Sequence, residues 1–335
     1  MESDIPLMIF VNSVSGGGIA GGVIPYAEED KNCTIVKLPA EASTFHETHA
    51  ELLRNPKLRL VAAGGDGTVN WVVSLLKNVY GFEESGNRPP IAVIPFGTGN
   101  DMSRSLGWGP GMDSSKLRET HEIFKRIRST EDVKNVDIWN LNFKQHGGET
   151  FDRQMLNYFS VGVDAEVAKD FEDCRTGCCR CCFCCQCMSL TCYVPVGLRN
   201  LCCKRNLRDY VKASVFETED ENEQPKVLET RRGEKTLVIQ AIPSMYAGRD
   251  AWLDHGPRSM DDHKFEIAIQ GGIFKVGLLQ IGCRTGRPVM QSTKTILDIS
   301  EPFYYQVDGE GGMVNMPTQL TISRIGSYPM LFADK

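Results

Sequence analysis

A chain of 335 residues with 41% hydrophobic and 24% charged content is long enough for two domains with their own cores, and its make-up is that of an ordinary globular protein. A formal charge of −6 argues against nucleic acid as a partner. The acidic start Met1-Glu2-Ser3-Asp4, followed only by a short apolar run at 7–11, argues against a secretory signal peptide, so the expected compartment is the cytosol.

Residues 7–11 predict a buried first strand, followed by the loop Asn12-Ser13-Val14-Ser15-Gly16-Gly17-Gly18. Cys33–Leu38 predicts a second strand, and Ser43 a cap for a helix over 44–54 with Phe45, Ala50 and Leu53 inward. Residues 58–63 predict a third strand that runs into Gly64-Gly65-Asp66-Gly67-Thr68-Val69-Asn70, where a helical pattern begins (Thr68, Val69, Val72, Val73, Leu75, Leu76). After a polar loop at 83–88, residues 91–94 predict a fourth strand ending in Pro95-Phe96-Gly97-Thr98-Gly99-Asn100-Asp101, and 114–128 predict a helix. Strand, turn and helix repeating at this spacing imply a mostly parallel sheet between layers of helices. Ligands of such sheets sit at the carboxyl ends of the strands, where all three glycine turns fall.

From residue 133 the pattern changes to short β-like runs, at 136–143, 155–163, 211–217, 237–242, 265–269, 296–299, 303–307 and 320–325, separated by turn signals such as Gly309-Glu310-Gly311-Gly312. The predicted organisation is therefore α/β: a three-layer N-terminal domain over 1–132, then a β-rich, sandwich-like domain over 133–335 whose last residues pack back on the first domain. No internal repeat is visible.

The chemistry concentrates in the turns. Backbone amides at a strand–glycine–helix junction bind anions, and the helix dipole adds to the attraction. Asp66 is the anomaly, because a carboxylate there repels phosphate unless a cation lies between them or it takes a proton. Gly16, Gly18 and Gly21 formally match the dinucleotide fingerprint, with Glu41 about 20 residues on. However, Gly21-Gly22 and Pro25 leave little room for a regular helix, and no Lys-Ser/Thr of a P-loop follows. A looser phosphate-contacting loop using Asn12, Ser13, Ser15, Gly16 and Gly17 is the preferred reading.

GGDGTVN at 64–70 and PFGTGND at 95–101, taken with Phe10-Val11-Asn12, Asn157-Tyr158-Phe159-Ser160-Val161-Gly162-Val163-Asp164-Ala165, Ile242-Pro243-Ser244 with Trp252, and Gln306-Val307-Asp308-Gly309-Glu310, resemble the diacylglycerol kinase catalytic and accessory domains in order. The wider lipid-kinase group includes sphingosine and ceramide kinases, and PFGTGND favours the diacylglycerol branch. The resemblance implies ATP- and Mg²⁺-dependent phosphorylation of diacylglycerol to phosphatidic acid in the cleft between the domains. Kinases for ceramide or a sphingoid base, and a non-catalytic nucleotide-binding membrane protein, are the alternatives.

On that resemblance, Asn12, Ser13, Ser15, Gly16, Gly17, Gly64, Gly65, Asp66, Gly67, Thr68, Asn70, Gly97, Thr98, Gly99, Asn100 and Asp101 would hold the nucleotide. Asp66 would organise Mg²⁺ or take the proton of the lipid hydroxyl. Asp101 would act through water or cap its helix, and Glu310 is the other candidate base. Asp137 matches a family acidic position and could form a carboxylate network with Glu310. A primary alcohol ionises far above neutral pH, so either base helps only as the new bond forms.

Cysteine usage departs from the family: 11 of 13 cysteines lie in 174–203. Flanked by Arg175, Arg180, Arg199, Lys204, Arg205 and Arg208, the cluster Cys178, Cys179, Cys181, Cys182, Cys184, Cys185 and Cys187 reads first as a site of S-acylation. Two or more acyl chains plus basic residues hold a protein on an anionic lipid surface, which predicts a cytoplasmic, peripherally membrane-associated enzyme. Zinc is the second candidate, since overlapping CxxC pairs offer thiolates without a unique register or a nearby His. A tolerated cysteine-rich loop is the third. No zinc-module spacing precedes residue 7, so lipid-sensing modules are not expected in this chain.

Overall fold

The computed structural model describes residues 4–82, 88–176, 205–220, 222–252, 255–272, 275, 278 and 285–333. Backbone proximity divides the chain into two units, 1–136 with 326–335, and 137–325.

The first unit is built on strands β1 (Leu7–Asn12), β2 (Cys33–Leu38), β3 (Arg59–Gly64) and β4 (Ile91–Pro95), hydrogen-bonded in the order β2-β1-β3-β4 and parallel throughout. The end of the closing strand, Thr318–Leu331, adds to the edge of β4, with Met330 opposite Ile91. Ile9, Val11, Val61, Ala63, Ala92 and Ile94 form one side of its buried core. Met8, Phe10, Leu60, Ala62 and Val93 are also buried, as a sheet with both faces covered requires. Helices α1 (Ile24–Glu28), α2 (Phe45–Thr48), α3 (Ala50–Leu53), α4 (Asp66–Tyr80), α5 (Asp101–Ser105) and α6 (Thr120–Ser129) complete the layers. The chain end is bound into this unit: Trp108 Nε1 donates to the Leu331 carbonyl at 2.7 Å, and the Ala333 amide to that of Leu106 at 2.8 Å.

Two helical expectations change in detail. The helix anticipated over 44–54 breaks at His49 (φ −118°, ψ 25°) into α2 and α3, and Ser43 is not its cap; Thr44 stands at that position and makes no side-chain capping bond. Phe45 and Leu53 are buried as expected, while Ala50 is only half-buried. The helix over 114–128 opens as a 3₁₀ turn, Ser114–Glu119, where the Asp113 carboxylate accepts the amides of Ser115 and Lys116.

The second unit holds two sheets. One contains β5 (Val133–Gln145), β6 (Thr150–Met155), β8 (Val211–Phe216), β9 (Lys226–Val227), β13 (Lys294–Ile299) and β16, the closing strand. The other runs β12 (Arg287–Ser292), β11 (Phe265–Gln270), β10 (Thr236–Gln240), β7 (Tyr158–Gly162), β14 (Phe303–Val307), β15 (Glu310–Val314), antiparallel throughout. Alternate residues of the two sheets meet in one core: Phe159, Val161, Leu237, Ile239, Phe265 and Ile267 from the second, Trp139, Phe143, Leu297, Leu320 and Ile322 from the first.

The sequence pattern marks one long strand over 155–163, yet β6 and β7 are separate there. Asp308 draws the amides of Leu156, Asn157 and Tyr158 out of the ladder, at 3.0, 2.8 and 3.1 Å. Strands β9, β12 and β15 and helix α7 (Val163–Thr176) were not anticipated. Their positions are polar or glycine-rich, and tertiary partners supply what propensity does not.

The second face of the β12–β15 sheet is buried although it carries Ser160, Gln240, Glu266 and Gln306. Gln240 is satisfied by the Ile242 carbonyl and the Ala251 amide, and Gln291 Nε2 donates to Glu266 at 3.1 Å. Burial pushes the Glu266 carboxyl up to about 7, against Gln291 and Arg258 and with help from Asp262. Raised above its unfolded value, this group carries no penalty below about pH 4.5 and a growing one as pH rises to 7, reaching roughly 3 kcal/mol. Glu266→Gln should therefore raise the urea midpoint at pH 8 and leave it nearly unchanged at pH 4.5. An equal effect at both pH values would show that Glu266 is not held neutral by the fold.

Candidate active site

Three turns of the first unit leave the carboxyl ends of β1, β3 and β4. After β1 the chain coils as 3₁₀ turns over Ser15–Val23, with Gly16, Gly17 and Gly18 in left-handed conformation (φ 63°, 68° and 100°). Only glycine fits at Gly16, where a Cβ would stand 2.5 Å from the Phe96 carbonyl oxygen. Regular helix begins only at Ile24, so the dinucleotide fingerprint at 16–21 lacks the helix start on which its phosphate site rests. Successive amides in such turns form an anion-binding concavity. Ser13 and Gly16–Gly18 are exposed around it, and Ser15 is half-buried.

After β3, α4 starts at Asp66 directly behind Gly65. A Cβ on Gly64 would lie 2.3 Å from Thr68 Oγ1, so Gly64 makes room for that side chain. Thr68 is buried; its Oγ1 accepts from Asn12 Nδ2 at 3.1 Å and lies 3.3 Å from Ser15 Oγ, while its amide donates to Gly65 O at 2.9 Å. Thr68 and Asn12, expected at the nucleotide, thus join the first turn to the second. Asn70 lies one helical turn from Asp66 and is half-buried.

After β4, Asn100 closes the third turn on itself. It sits in the left-handed region (φ 52°, ψ 42°), accepts the Gly97 amide at 2.7 Å, and donates to the Gly97 and Pro110 carbonyls, both at 2.8 Å. Its side chain is committed to the turn.

The Asp66 carboxylate ties the second and third turns together. Oδ2 accepts the Asp101 amide at 3.0 Å and Oδ1 the Met102 amide at 2.9 Å, which are the first two amides of α5. The acid therefore caps a neighbouring helix. Asp101, the first residue of α5, is itself buried. A Cβ on Gly99 would lie 3.2 Å from Asp101 Oδ2 and 3.3 Å from Asp66 Oδ2, so both carboxylates border the same bare stretch of backbone. Gly65 and Gly97 touch backbone to backbone, since a Cβ on Gly97 would stand 2.7 Å from Gly65 Cα. Thr98 and Gly67 are half-buried along this seam.

In the second unit, Glu310 is exposed at the first position of β15, opposite Val307. The left-handed pair before it, Asp308 (φ 51°) and Gly309 (φ 88°), is fixed by the three amides that the Asp308 carboxylate holds. The glycines after it answer close approaches: a Cβ on Gly311 would lie 2.7 Å from Lys169 Cα of α7, and one on Gly312 would lie 2.4 Å from the Tyr305 ring.

The direct partners of the Asp137 carboxylate are Arg324 and the His263 amide. Arg324 Nε donates to its Oδ1 at 2.6 Å and the His263 amide to its Oδ2 at 2.8 Å. Burial pushes this carboxyl above its ordinary value, with Arg324 opposing.

The residues Cys178, Cys179, Cys181, Cys182, Cys184, Cys185 and Cys187 lie outside the described residues. Among the described residues no helix is long and apolar enough to cross a membrane. Asp308, Gly64 and Gly97 as packing determinants were not legible in the sequence, which signals only that the turns are glycine-rich.

The seam between the second and third turns yields a direct prediction. Gly97→Ala must move either Gly65 or Asn100, and overpacking of this kind costs about 1–3 kcal/mol. The expected result is a lower urea midpoint. A midpoint at the wild-type value would refute the contact.

The family profile "Diacylglycerol kinase catalytic domain" matches residues 6–136, and "Diacylglycerol kinase accessory domain" matches 154–311. The chain is 28% identical over 342 residues to diacylglycerol kinase 2 of Arabidopsis thaliana, covering 97% of this chain and 46% of that protein. It is 29% identical over 347 residues to human diacylglycerol kinase theta, covering 96% of this chain and 34% of that protein. The chain thus spans less than half the length of these relatives. A crystal structure of a diacylglycerol kinase from Bacillus anthracis superposes over 98% of this chain and 97% of its own, with a TM-score of 0.52 at 17% identity. Yeast NADH kinase superposes over 99% of this chain and 84% of its own, with a TM-score of 0.51 at 11% identity. The fold alone therefore does not separate kinases of lipids from those of dinucleotides. The two profiles, matched in order on the two units, do: the chain belongs to the diacylglycerol kinase family, carrying its catalytic and its accessory domain.

Proposed function

We propose that this chain transfers the γ-phosphoryl group of ATP to the free hydroxyl of diacylglycerol, giving phosphatidic acid and ADP. The observation that carries the reading is the set of three glycine turns, the second and third tied by Asp66 and the first joined to the second through Thr68, since phosphoryl transfer needs above all positioned donors and charge neutralisation. Membership of a kinase family implies ATP as donor.

The residues fit the nucleotide and its metal. The left-handed amides at Gly16 and Gly17 and the backbone at Gly65, Gly67, Thr98 and Gly99 would face phosphate oxygens. Each Asp66 oxygen accepts a backbone amide of α5, which fixes the carboxylate beside the third turn. With Asp101 beside it at Gly99, the pair offers hard oxygen donors to a Mg²⁺ whose other ligands are phosphates and water. Bound there, Mg²⁺ would neutralise the charge of the β- and γ-phosphates. Glu310, exposed on a turn fixed by Asp308, is the acceptor for the proton of the lipid hydroxyl. As the hydroxyl oxygen bonds to the γ-phosphorus, the bond to the β–γ bridging oxygen breaks, the proton passes to Glu310, and ADP departs. Asp137 is held by Arg324 and the His263 amide and is given no step in the transfer.

Membrane association belongs to the same reading. The cysteines at 178–187, beside Arg175, Arg180 and Arg205, have the composition of an acylated surface anchor, with zinc binding as the competing outcome.

Labelled ATP with Mg²⁺ and micelles containing diacylglycerol, ceramide or sphingosine tests the acceptor. Labelled phosphatidic acid is expected, and its absence beside labelled ceramide phosphate or sphingosine phosphate would transfer the reading to another lipid alcohol. Asp66→Asn and Glu310→Gln should each lower kcat about a hundredfold or more, while the second leaves KM for ATP within about twofold. Near-normal turnover in Glu310→Gln would remove that residue as proton acceptor.

A further inference from the structure

A buried carboxylate in the second unit has no part in the chemistry above. Asp164, in the first turn of α7, is almost fully enclosed. Its Oδ2 accepts from Ser160 Oγ at 2.5 Å, from Gln306 Nε2 at 2.7 Å and from the Tyr246 hydroxyl. Gln306 Nε2 gives its second hydrogen to Ser160 Oγ at 2.8 Å, so the four side chains form one closed set in which the carboxylate is the common acceptor.

Each donor sits on a different segment. Ser160 belongs to β7 and Gln306 to β14, while Tyr246 opens a pair of left-handed residues, Tyr246 (φ 49°) and Ala247 (φ 64°). Non-glycine residues in that region are strained and need their surroundings to hold them. Gln306 is two residues ahead of Asp308 and four ahead of Glu310. The helix that carries Asp164 also touches the strand beyond, since only a glycine at 311 leaves room for the Lys169 backbone. Helix α7 therefore grips the Glu310 hairpin on both sides of Glu310, through the Asp164 carboxylate before it and through Ala168 and Lys169 at Gly311 after it.

We propose that Asp164 is a positioning residue for Glu310, acting through Gln306 and Tyr246 rather than by touching a substrate. The inference rests on Glu310 being the proton acceptor, and its mechanism is local: a charge-assisted set of bonds fixes the hairpin and the 244–248 turn in one geometry. A shift of that geometry by about 1 Å lowers turnover ten- to a hundredfold without altering nucleotide binding.

The test uses the full chain with Asp164→Asn and Tyr246→Phe, singly and together. Hydrogen–deuterium exchange should quicken at 244–248 and 306–310 in both single variants and stay unchanged at 59–80. kcat with diacylglycerol micelles should fall about tenfold or more, with KM for ATP within about twofold, and the double variant should lose no more than the worse single one. Tyr246→Phe removes one hydroxyl and keeps the test valid if Asp164→Asn does not fold. Unchanged exchange at both segments, wild-type kcat in a folded variant, or losses that multiply in the double variant would each overturn the proposal. A wild-type chain that leaves diacylglycerol unlabelled would defeat the acceptor reading instead, and exchange at the two segments would still decide the positioning.

Discussion

The Asp66 carboxylate, accepting the first two amides of α5 at 3.0 and 2.9 Å, is the bond on which the catalytic unit turns. A five-residue helix cannot close its own leading amides, and no side chain of Asn100 caps it. Asp66 supplies the missing acceptor from the start of another helix. Bound by two amides, its charge is partly met by the protein before any ligand arrives, which resolves the apparent conflict of an acid in an anion-binding turn. The same bond demands that the turns lie close, and glycine at 65 and 97 is what permits it.

The accessory unit repeats this chemistry. Asp308 holds the amides of Leu156, Asn157 and Tyr158, and like Asp66 it precedes a glycine in the sequence. In each case a carboxylate placed among backbone donors fixes a turn. A buried charge is costly without such partners, and several short charge-assisted bonds offset that cost. The polar face of the β12–β15 sheet follows the same rule on a larger scale: Gln240 and Gln306 are bonded within it, and Glu266 is held near neutrality by burial.

Glycines account for much of what looked like mere turn signal. Gly16 lets the first loop pass the Phe96 carbonyl, Gly64 admits Thr68, and Gly311 lets α7 lie against β15. Each serves a contact between segments far apart in sequence. Periodicity does not register such contacts, because the cause of the glycine is the neighbour and not the local chain.

The parallel strands of the first unit were legible because both their faces are apolar, and their order of turns and helices followed from spacing. The sandwich was legible where its strands carry apolar runs, as in β10 and β11, and illegible where glycines approach a helix, as in β15. The blocks at 64–70, 95–101 and 306–310 by themselves determined the family and named Asp66 and Glu310. Only the tertiary structure decided that Asp66 caps α5, that Thr68 and Asn100 hold turns together, and that Asp137 pairs with Arg324. The reason is physical: a motif fixes which chemical groups are present, whereas a hydrogen bond across 35 or 187 residues of chain exists only once packing has brought its ends together.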